Sequence, residues 1–255
     1  MPEIDLPQER RQSILDKLRQ EGRIIAGDLS ALYGVSEDTI RRDLRDLAAA
    51  GLLKRVHGGA LPLVPDLAPY ARRERHTSPA KIAVAQAAAQ LVQEGQVVII
   101  GSGTTNHEIA RQLDPHLRAT IITASPQVAV TLSSLPHVDI ILIGGRVNKQ
   151  ELVVTGAEAV DQLRRFRADL GFLGICSLHP EVGYTGTAYD EVAVERAIIE
   201  QCGDVAAVAV AEKLGTVAPY FVAPLSEITY LVTEPQPDAI LAPYRAAGLE
   251  IILSD

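Results

Sequence analysis

From Pro79 to the C-terminus, short apolar runs alternate with amphipathic stretches, and this restricts the fold more than any other feature. The runs at 96–100, 119–123, 138–143, 169–174, 205–210, 229–233 and 249–253 have strand length. The stretches near 79–93, 105–113, 126–134, 157–166, 190–202 and 236–247 have helical spacing. Strands with a helix between them pair in parallel, because the crossover returns the chain to the same end of the sheet. The expected architecture is therefore α/β, a mainly parallel sheet covered on both faces. No apolar run approaches the roughly 18–20 residues that span a bilayer, so no membrane crossing is expected.

The first sixty residues follow a different pattern, three helices and a hairpin. In QERRQSILDKLRQEG, residues 8–22, Ile14, Leu15 and Leu18 form an apolar stripe and Gly22 supplies a stop. A shorter helix fits residues 27–33, with Leu29, Leu32 and Tyr33 inward, although Ile25 and Ala26 stand where a capping side chain is preferred. After the turn at Gly34, Ser36 is placed to cap a third helix, with Glu37 and Asp38 at its positive end. On a helical projection Ile40, Leu44 and Leu47 share one side, while Arg41, Arg45 and Arg42 lie roughly 100°, 140° and 200° from Ile40. The segment LLKRVHGGALPL then suits a short wing.

Charge separates the two regions. The chain of 255 residues has a formal net charge of −8, of which residues 79–255 carry −9, residues 61–78 +1 and residues 1–60 zero. Residues 39–57 nevertheless hold a local surplus of +3. A local basic face is what contact with phosphates requires, whatever the overall balance. In a winged helix-turn-helix the helix after Ser36 enters the major groove, which makes Thr39, Arg41, Arg42 and Arg45 candidates for bases or phosphates. The alternative is a solvated face on which these arginines pair with Asp38, Asp43 and Asp46. Residues 61–78, with Pro62, Pro65, Pro69 and the basic group Arg72, Arg73 and Arg75, read as a linker ending in a surface turn. The expected division is 1–60 for DNA, 61–78 as linker and 79–255 as the α/β domain.

Cys176 and Cys202 lie 26 residues apart with no zinc-type spacing, so neither a disulfide nor a metal is expected. MPEIDLPQERRQ has acids and prolines where a signal peptide has a basic segment and an apolar one. A cytoplasmic protein is the expectation. At 97–110, VVIIGSGTTNHEIA reads as a strand, a glycine turn and a helix. Small residues let backbone amides approach a ligand, and Ser102, Thr104 and Thr105 add hydroxyls at the helix's positive end, which favours a phosphate or carboxylate. The pattern is neither a nucleotide phosphate loop nor a dinucleotide fingerprint, so no cofactor is expected. A purely structural glycine turn is the competing reading.

RRQSILDKLRQEGRIIAGDLSALYGVSEDTIRRDLRDLAAAGLLKRVHGGA resembles the N-terminal domain of the DeoR family of bacterial transcriptional regulators. VSEDTIRRDL and LLKRVHGGA carry the most specific motifs. The resemblance continues through KIAVAQAAAQLVQEGQVVIIGSGTT, ILIGGRV and GFLGICSLHPEVGYT. It implies a small winged helix-turn-helix followed by a domain similar to ribose-5-phosphate isomerases and coenzyme A transferases. The DNA-facing residues it implies are Ser36, Thr39, Arg41, Arg42, Arg45, Arg55 and His57. For a phosphorylated sugar or another small anionic effector it implies Ser102, Gly103, Thr104, Thr105, Ser125, Gly145, Arg146, Glu191 and Lys213, with no catalytic residue.

Three positions depart from the family pattern. Gly101 stands where an acid is usual, Ala124 replaces an Asn, and Val210 replaces an Asp. These losses weaken any case for isomerase chemistry, which needs a positioned base. The expected function is a repressor of a carbohydrate-catabolism operon, working on operator DNA as a homo-oligomer, dimer or tetramer, because paired half-sites call for two recognition helices. Two alternatives stay open: an isomerase or acyl transferase with a DNA-binding appendage, and a DNA-binding regulator whose sensor is inactive.

Overall fold

The computed structural model describes residues 7–64, 69–75 and 77–255. Half of the N-terminal stretch read against a signal peptide, residues 1–6, lies outside the described residues, as do 65–68 and 76 of the expected linker. The chain divides into two compact units, residues 1–65 with 215–217, and residues 66–214 with 218–255.

The first unit contains α1 (Pro7–Glu21), β1 (Ile24–Ile25), α2 (Ala26–Tyr33), α3 (Glu37–Ala49), β2 (Lys54–Val56) and β3 (Gly59–Leu61). Its core is built from Ile14, Leu18, Ile24, Leu29, Ile40, Leu44, Leu47 and Leu53, all nearly solvent-free. Each such side chain contributes roughly 1.5–3 kcal/mol by leaving water. Ser36 caps α3 by accepting from the Thr39 amide, and Gly34 closes α2 in the left-handed region at φ 64°. Leu32, expected inward, is exposed. Ala26, Leu29 and Tyr33 set the inner face of this two-turn helix, and Leu32 lies about 95° from its centre.

The missing cap on α2 has a structural reason. Ile24 and Ile25 form a strand that pairs antiparallel with β3, so the wing is a three-stranded sheet in the order β1-β3-β2. Ile25 occupies the cap position as a strand residue and makes no side-chain capping bond. The glycine pair of the wing has two separate tasks. Gly58 turns at φ 80°, and a Cβ on Gly59 would lie 1.9 Å from the Ile24 carbonyl oxygen.

The second unit begins with α4 (Tyr70–Arg75) and α5 (Pro79–Ala89), followed by β4 (Val97–Ile100), α6 (Thr104–Gln112), β5 (Ala119–Thr123), α7 (Pro126–Leu132) and β6 (Val138–Leu142). The chain continues through β7 (Arg146–Asn148), β8 (Val153–Thr155), α8 (Ala157–Leu163), β9 (Ala168–Gly174), β10 (Ser177–His179), β11 (Gly183–Gly186) and α9 (Tyr189–Gln201). It ends with β12 (Cys202–Val208), β13 (Tyr220–Ala223), β14 (Tyr230–Thr233), α10 (Asp238–Ala246) and β15 (Glu250–Leu253). Seven strands form one sheet in the order β15-β14-β12-β9-β4-β5-β6, and every pairing is parallel.

Two-residue periodicity divides the strands between two cores. Val98, Ile100 and Ile121 pack with Val84, Ile109 and Val128 on one face. Ile99 and Ile122 join Val160, Leu163, Val194 and Tyr244 on the other. Both faces are therefore covered, as the apolar strands require.

Strand order locates a candidate ligand crevice. From β4 the chain builds outward through β5 and β6, then returns to place β9 on β4's other side. The crevice outside the carboxyl ends of β4 and β9 is thus a topological switch point, where open parallel sheets bind ligands.

Part of the expected linker is built into this unit. Tyr70 is fully buried at the start of α4, where a surface turn was expected. Its ring stacks on His107, and its hydroxyl lies 2.6 Å from His107 Nδ1. The β7–β8 hairpin and the antiparallel β10-β11-β13 sheet were also absent from the sequence reading. Their strands are three or four residues long.

Candidate functional site

On α3, Arg41, Arg42 and Arg45 are all exposed, opposite buried Ile40, Leu44 and Leu47. The structure treats them differently. Arg41 pairs with Glu37 at 2.9 Å and reaches Asp38 at 3.9 Å, whereas Arg42 and Arg45 have no ion-pair partner among the described residues. The solvated-face alternative therefore holds for Arg41 alone, and that exposed pair is worth no more than about 1 kcal/mol.

Of the two acids of this segment, Asp43 turns inward and Asp46 stays exposed. Asp43 is buried and accepts from Arg10 Nε at 2.7 Å and from Arg11 Nε at 2.9 Å, while Arg11 also pairs with Asp46. Asp43 thus ties α3 to α1 and leaves the outer ridge positive. Ser36 and Thr39 share a 3.0 Å hydroxyl contact at the helix start. Arg55 on β2 and His57 in the wing turn are exposed.

At the switch-point crevice, Gly101-Ser102-Gly103 joins β4 to α6, and the Gly103 backbone at φ 97° precedes the first turn. No side chain caps this helix, so its amides face outward from a positive end. The turn is held backbone against backbone. Asn106 Nδ2 donates to the Ser102 and Phe172 carbonyls at 3.1 and 3.2 Å. A Cβ on Gly174 would lie 2.1 Å from the Ser102 oxygen, and one on Gly101 would lie 2.8 Å from the Phe172 oxygen. At 101 any side chain would therefore meet the β9 backbone unless one of the two shifted.

Cations gather beside the turn. Lys81 Nζ, on α5, donates to Thr104 Oγ1 at 3.3 Å. Burial holds its pKa below the ordinary lysine value, and Arg73 and then Lys213 lower it further, against Glu212. Lys213 is buried in a short 3-10 turn after β12 and pairs with Glu212 at 3.3 Å. Of this group Lys213 was expected from the sequence, whereas Lys81 and Arg73 were not. Arg73 was legible as part of a basic group, but nothing local placed α4 on the domain.

The other expected effector residues separate. Ser125 is buried at the end of β5 and caps α7 by accepting from the Val128 amide at 3.5 Å. Ala124 belongs to the core, and Val210 is buried directly before the 3-10 turn. Gly145 and Arg146 are exposed at the start of the β7–β8 hairpin, and no described hydrogen bond ties either to the SGTT turn. Glu191 is buried on α9 and accepts from Asn148 Nδ2 at 3.2 Å. Burial, with repulsion from Glu151, raises its pKa to about 7, against Arg73.

One turn further along α9, Glu195 lies beside the Tyr184 hydroxyl, which donates to the Gly174 carbonyl. Burial raises Glu195 to about 8, partly offset by Tyr184, with Glu191 and Glu151 adding repulsion. A carboxyl raised this far contributes stability that is complete below about pH 4.5 and lost as pH climbs through 7 to 8. Glu195→Gln is therefore expected to stabilise the protein at pH 8 by about 1–3 kcal/mol, roughly 3–10 °C in melting temperature. The gain should vanish near pH 4.5. Parallel wild-type and variant melting curves across that range would refute the assignment.

His107 completes the connection between α4 and the crevice. It sits one turn after Thr104, with Nδ1 facing Tyr70 and Nε2 2.7 Å from Thr131 Oγ1. Burial and Arg111 depress its pKa against Glu74 and Glu108, which keeps the ring neutral between two hydroxyls. Arg73 pairs with Glu151, and the Tyr70 amide donates to the Gln150 carbonyl at 2.8 Å. Hence α4 touches both α6 and the β7–β8 hairpin. No helix among the described residues is long and apolar enough to cross a membrane, and no group of potential metal ligands occurs among them.

Comparison with known proteins matches residues 10–63 to the DeoR-like helix-turn-helix domain and 76–235 to the DeoR C terminal sensor domain. The chain is 34% identical to the putative aga operon transcriptional repressor of Escherichia coli O157:H7, covering 96% of this chain and 93% of that protein. It is 33% identical to the HTH-type transcriptional repressor GlcR of Bacillus subtilis (97% and 96% covered) and 31% identical to the glycerol-3-phosphate regulon repressor of Escherichia coli K12 (90% and 91%). Among solved structures, ribose 5 phosphate isomerase A from Neisseria gonorrhoeae matches 54% of this chain and 53% of its own at 12% identity, with a TM-score of 0.39. Carrying both domain types in this order and aligning with such repressors over nearly its whole length, the chain belongs to the DeoR family.

Proposed function

We propose that this protein is a sequence-specific DNA-binding repressor of a carbohydrate-catabolism operon, released when a phosphorylated sugar or a related small anion occupies the crevice beside Thr104. The carrying observation is that Arg42 and Arg45 on the capped α3 are exposed with no ion-pair partner among the described residues, while Asp43 and Asp46 pair with Arg10 and Arg11. Such a ridge fits the major groove, and paired half-sites require two copies of it. Repressors of the glycerol-3-phosphate and aga operons are relatives, which supports a cytoplasmic role in sugar metabolism.

Two features favour sensing over turnover. Lys81, Lys213 and the α6 amides supply positive potential for a phosphate. Gly101, Ala124 and Val210 place no carboxylate at the turn and strand ends, where an isomerase would need a base. An effector preferring the conformation that misplaces the DNA-binding units lowers operator affinity by its differential binding to the two states. The contacts from Thr104 through His107 to Tyr70 give occupancy a path to the segment that follows the first unit.

The test is fluorescence anisotropy with DNA flanking the protein's own gene, repeated with a panel of sugar phosphates and with inorganic phosphate. Salt-sensitive binding to one fragment, weakened by one sugar phosphate, is expected. Equal affinity for unrelated DNA would overturn the repressor reading, and indifference to the whole panel would overturn sensing. A ligand at 100 times its dissociation constant should add about 2.7 kcal/mol, roughly 5–10 °C of thermal shift. Lys81→Ala and Thr104→Ala should each lose at least half of that shift, and an undiminished shift in both would remove the proposed site.

A further inference from the structure

The chain is poor in aromatics, with seven Tyr, three Phe and no Trp. Seven of these ten are buried or half-buried. The three exposed ones, Tyr189 (73%), Phe221 (57%) and Tyr220 (39%), occur together. Tyr189 and Tyr220 meet edge to face with centroids 5.5 Å apart. Tyr189 and Phe221 line a groove of about 620 Å³ between α8, α9 and β13, together with Val160, Val192, Ala193 and Val222. Single exposed apolar side chains are ordinary, but a cluster of aromatics over an apolar groove is what a protein–protein contact uses as its anchors.

We propose that this groove is the docking face for a second copy of the chain, in a two-fold contact. Charge selects that occupant. Asp161 and Asp190 line the groove with no ion-pair partner among the described residues. Arg164, also exposed, has only a 3.8 Å pair with Glu200. A patch with both signs complements itself when rotated about a two-fold axis, so that Asp161 of one copy faces Arg164 of its mate. Nucleic acid would require a basic surface, and these unpaired acids oppose it. Helix α9 lends Tyr189, Ala193 and Arg196 to the groove and buries Glu191 and Glu195 toward the crevice side, so one rigid element serves both sites. The inference rests on the reading that two recognition helices act together, and adds the face that joins them.

Sedimentation equilibrium of the full chain over a wide concentration range tests it. The wild type should self-associate, and Phe221→Asp should raise its dissociation constant by about 30-fold or more. Val130→Asp, on an equally exposed apolar residue of α7 away from the groove, should leave association unchanged. Asp161→Arg and Arg164→Asp should each weaken association by about tenfold, and the double swap should return to within about threefold of wild type. Association unaltered in Phe221→Asp and in both single charge variants overturns the face and leaves the paired-helix reading standing. A wild type that stays monomeric throughout overturns both. If Phe221→Asp fails to fold, the charge-swap set decides alone.

Discussion

Replacing Arg42 and Arg45 together with alanine is expected to reduce operator affinity by about 2–6 kcal/mol, roughly 30-fold to 10⁴-fold. Both side chains are exposed on α3 without an ion-pair partner among the described residues, so none of those residues competes with DNA for them. The fold should not suffer, since neither touches the core formed by Ile40, Leu44 and Leu47. Arg41→Ala should have a smaller effect, because Glu37 and Asp38 must be displaced before Arg41 can bind. Anisotropy at several salt concentrations also separates the roles. A lost phosphate contact flattens the salt dependence by about one unit of slope, whereas a lost base contact relaxes sequence preference at one position. Wild-type affinity in the folded double variant would end the assignment of α3 as the recognition helix.

The second large effect is on stability. Asp43→Ala should destabilise the first unit by about 3–5 kcal/mol, because it removes one partner of a buried ion pair and strands the other. Arg10 is only 6% exposed and its Nε lies 2.7 Å from Asp43. Without the carboxylate its charge keeps the cost of burial and loses its compensation. Arg11, which is partly exposed and also pairs with Asp46, can relax toward water. Urea titration of the full chain by far-ultraviolet circular dichroism should show the helical first unit melting before the parallel sheet. Loss of less than 1 kcal/mol would mean that the Arg10–Asp43 pair does not anchor α3 to α1.

The strands of the large sheet were legible as apolar runs, and most helices by a periodicity that states which side is buried. The seven strands of the large sheet and the helices between them occur where expected, mostly within one or two residues. The larger differences are at α5, which ends at Ala89 rather than at 93, and at β12, which starts at Cys202 directly after α9, with no loop to mark the junction. Composition alone could not reveal pairing between distant short segments. Ile24–Ile25 looks like a poorly capped helix start until β3 supplies its partner, and Tyr70 looks like a linker residue until His107 lies beside it.

Local chemistry was enough to identify Ser36 as a cap, the outward arginines of α3, and a helix with a positive end after a glycine turn. Those properties depend on neighbours three or four residues away, and neighbouring residues along the chain are always adjacent in space. The roles of Asp43, Lys81 and Arg73 depend on packing instead. Asp43 became an anchor because α1 crosses α3, and Lys81 reached Thr104 because α5 lies beside α6. Gly101 shows the same dependence, since the Phe172 carbonyl oxygen of β9 stands 2.8 Å from where its Cβ would be. Periodicity encodes which way a side chain points, but what it meets there is set by segments brought in from elsewhere in the chain.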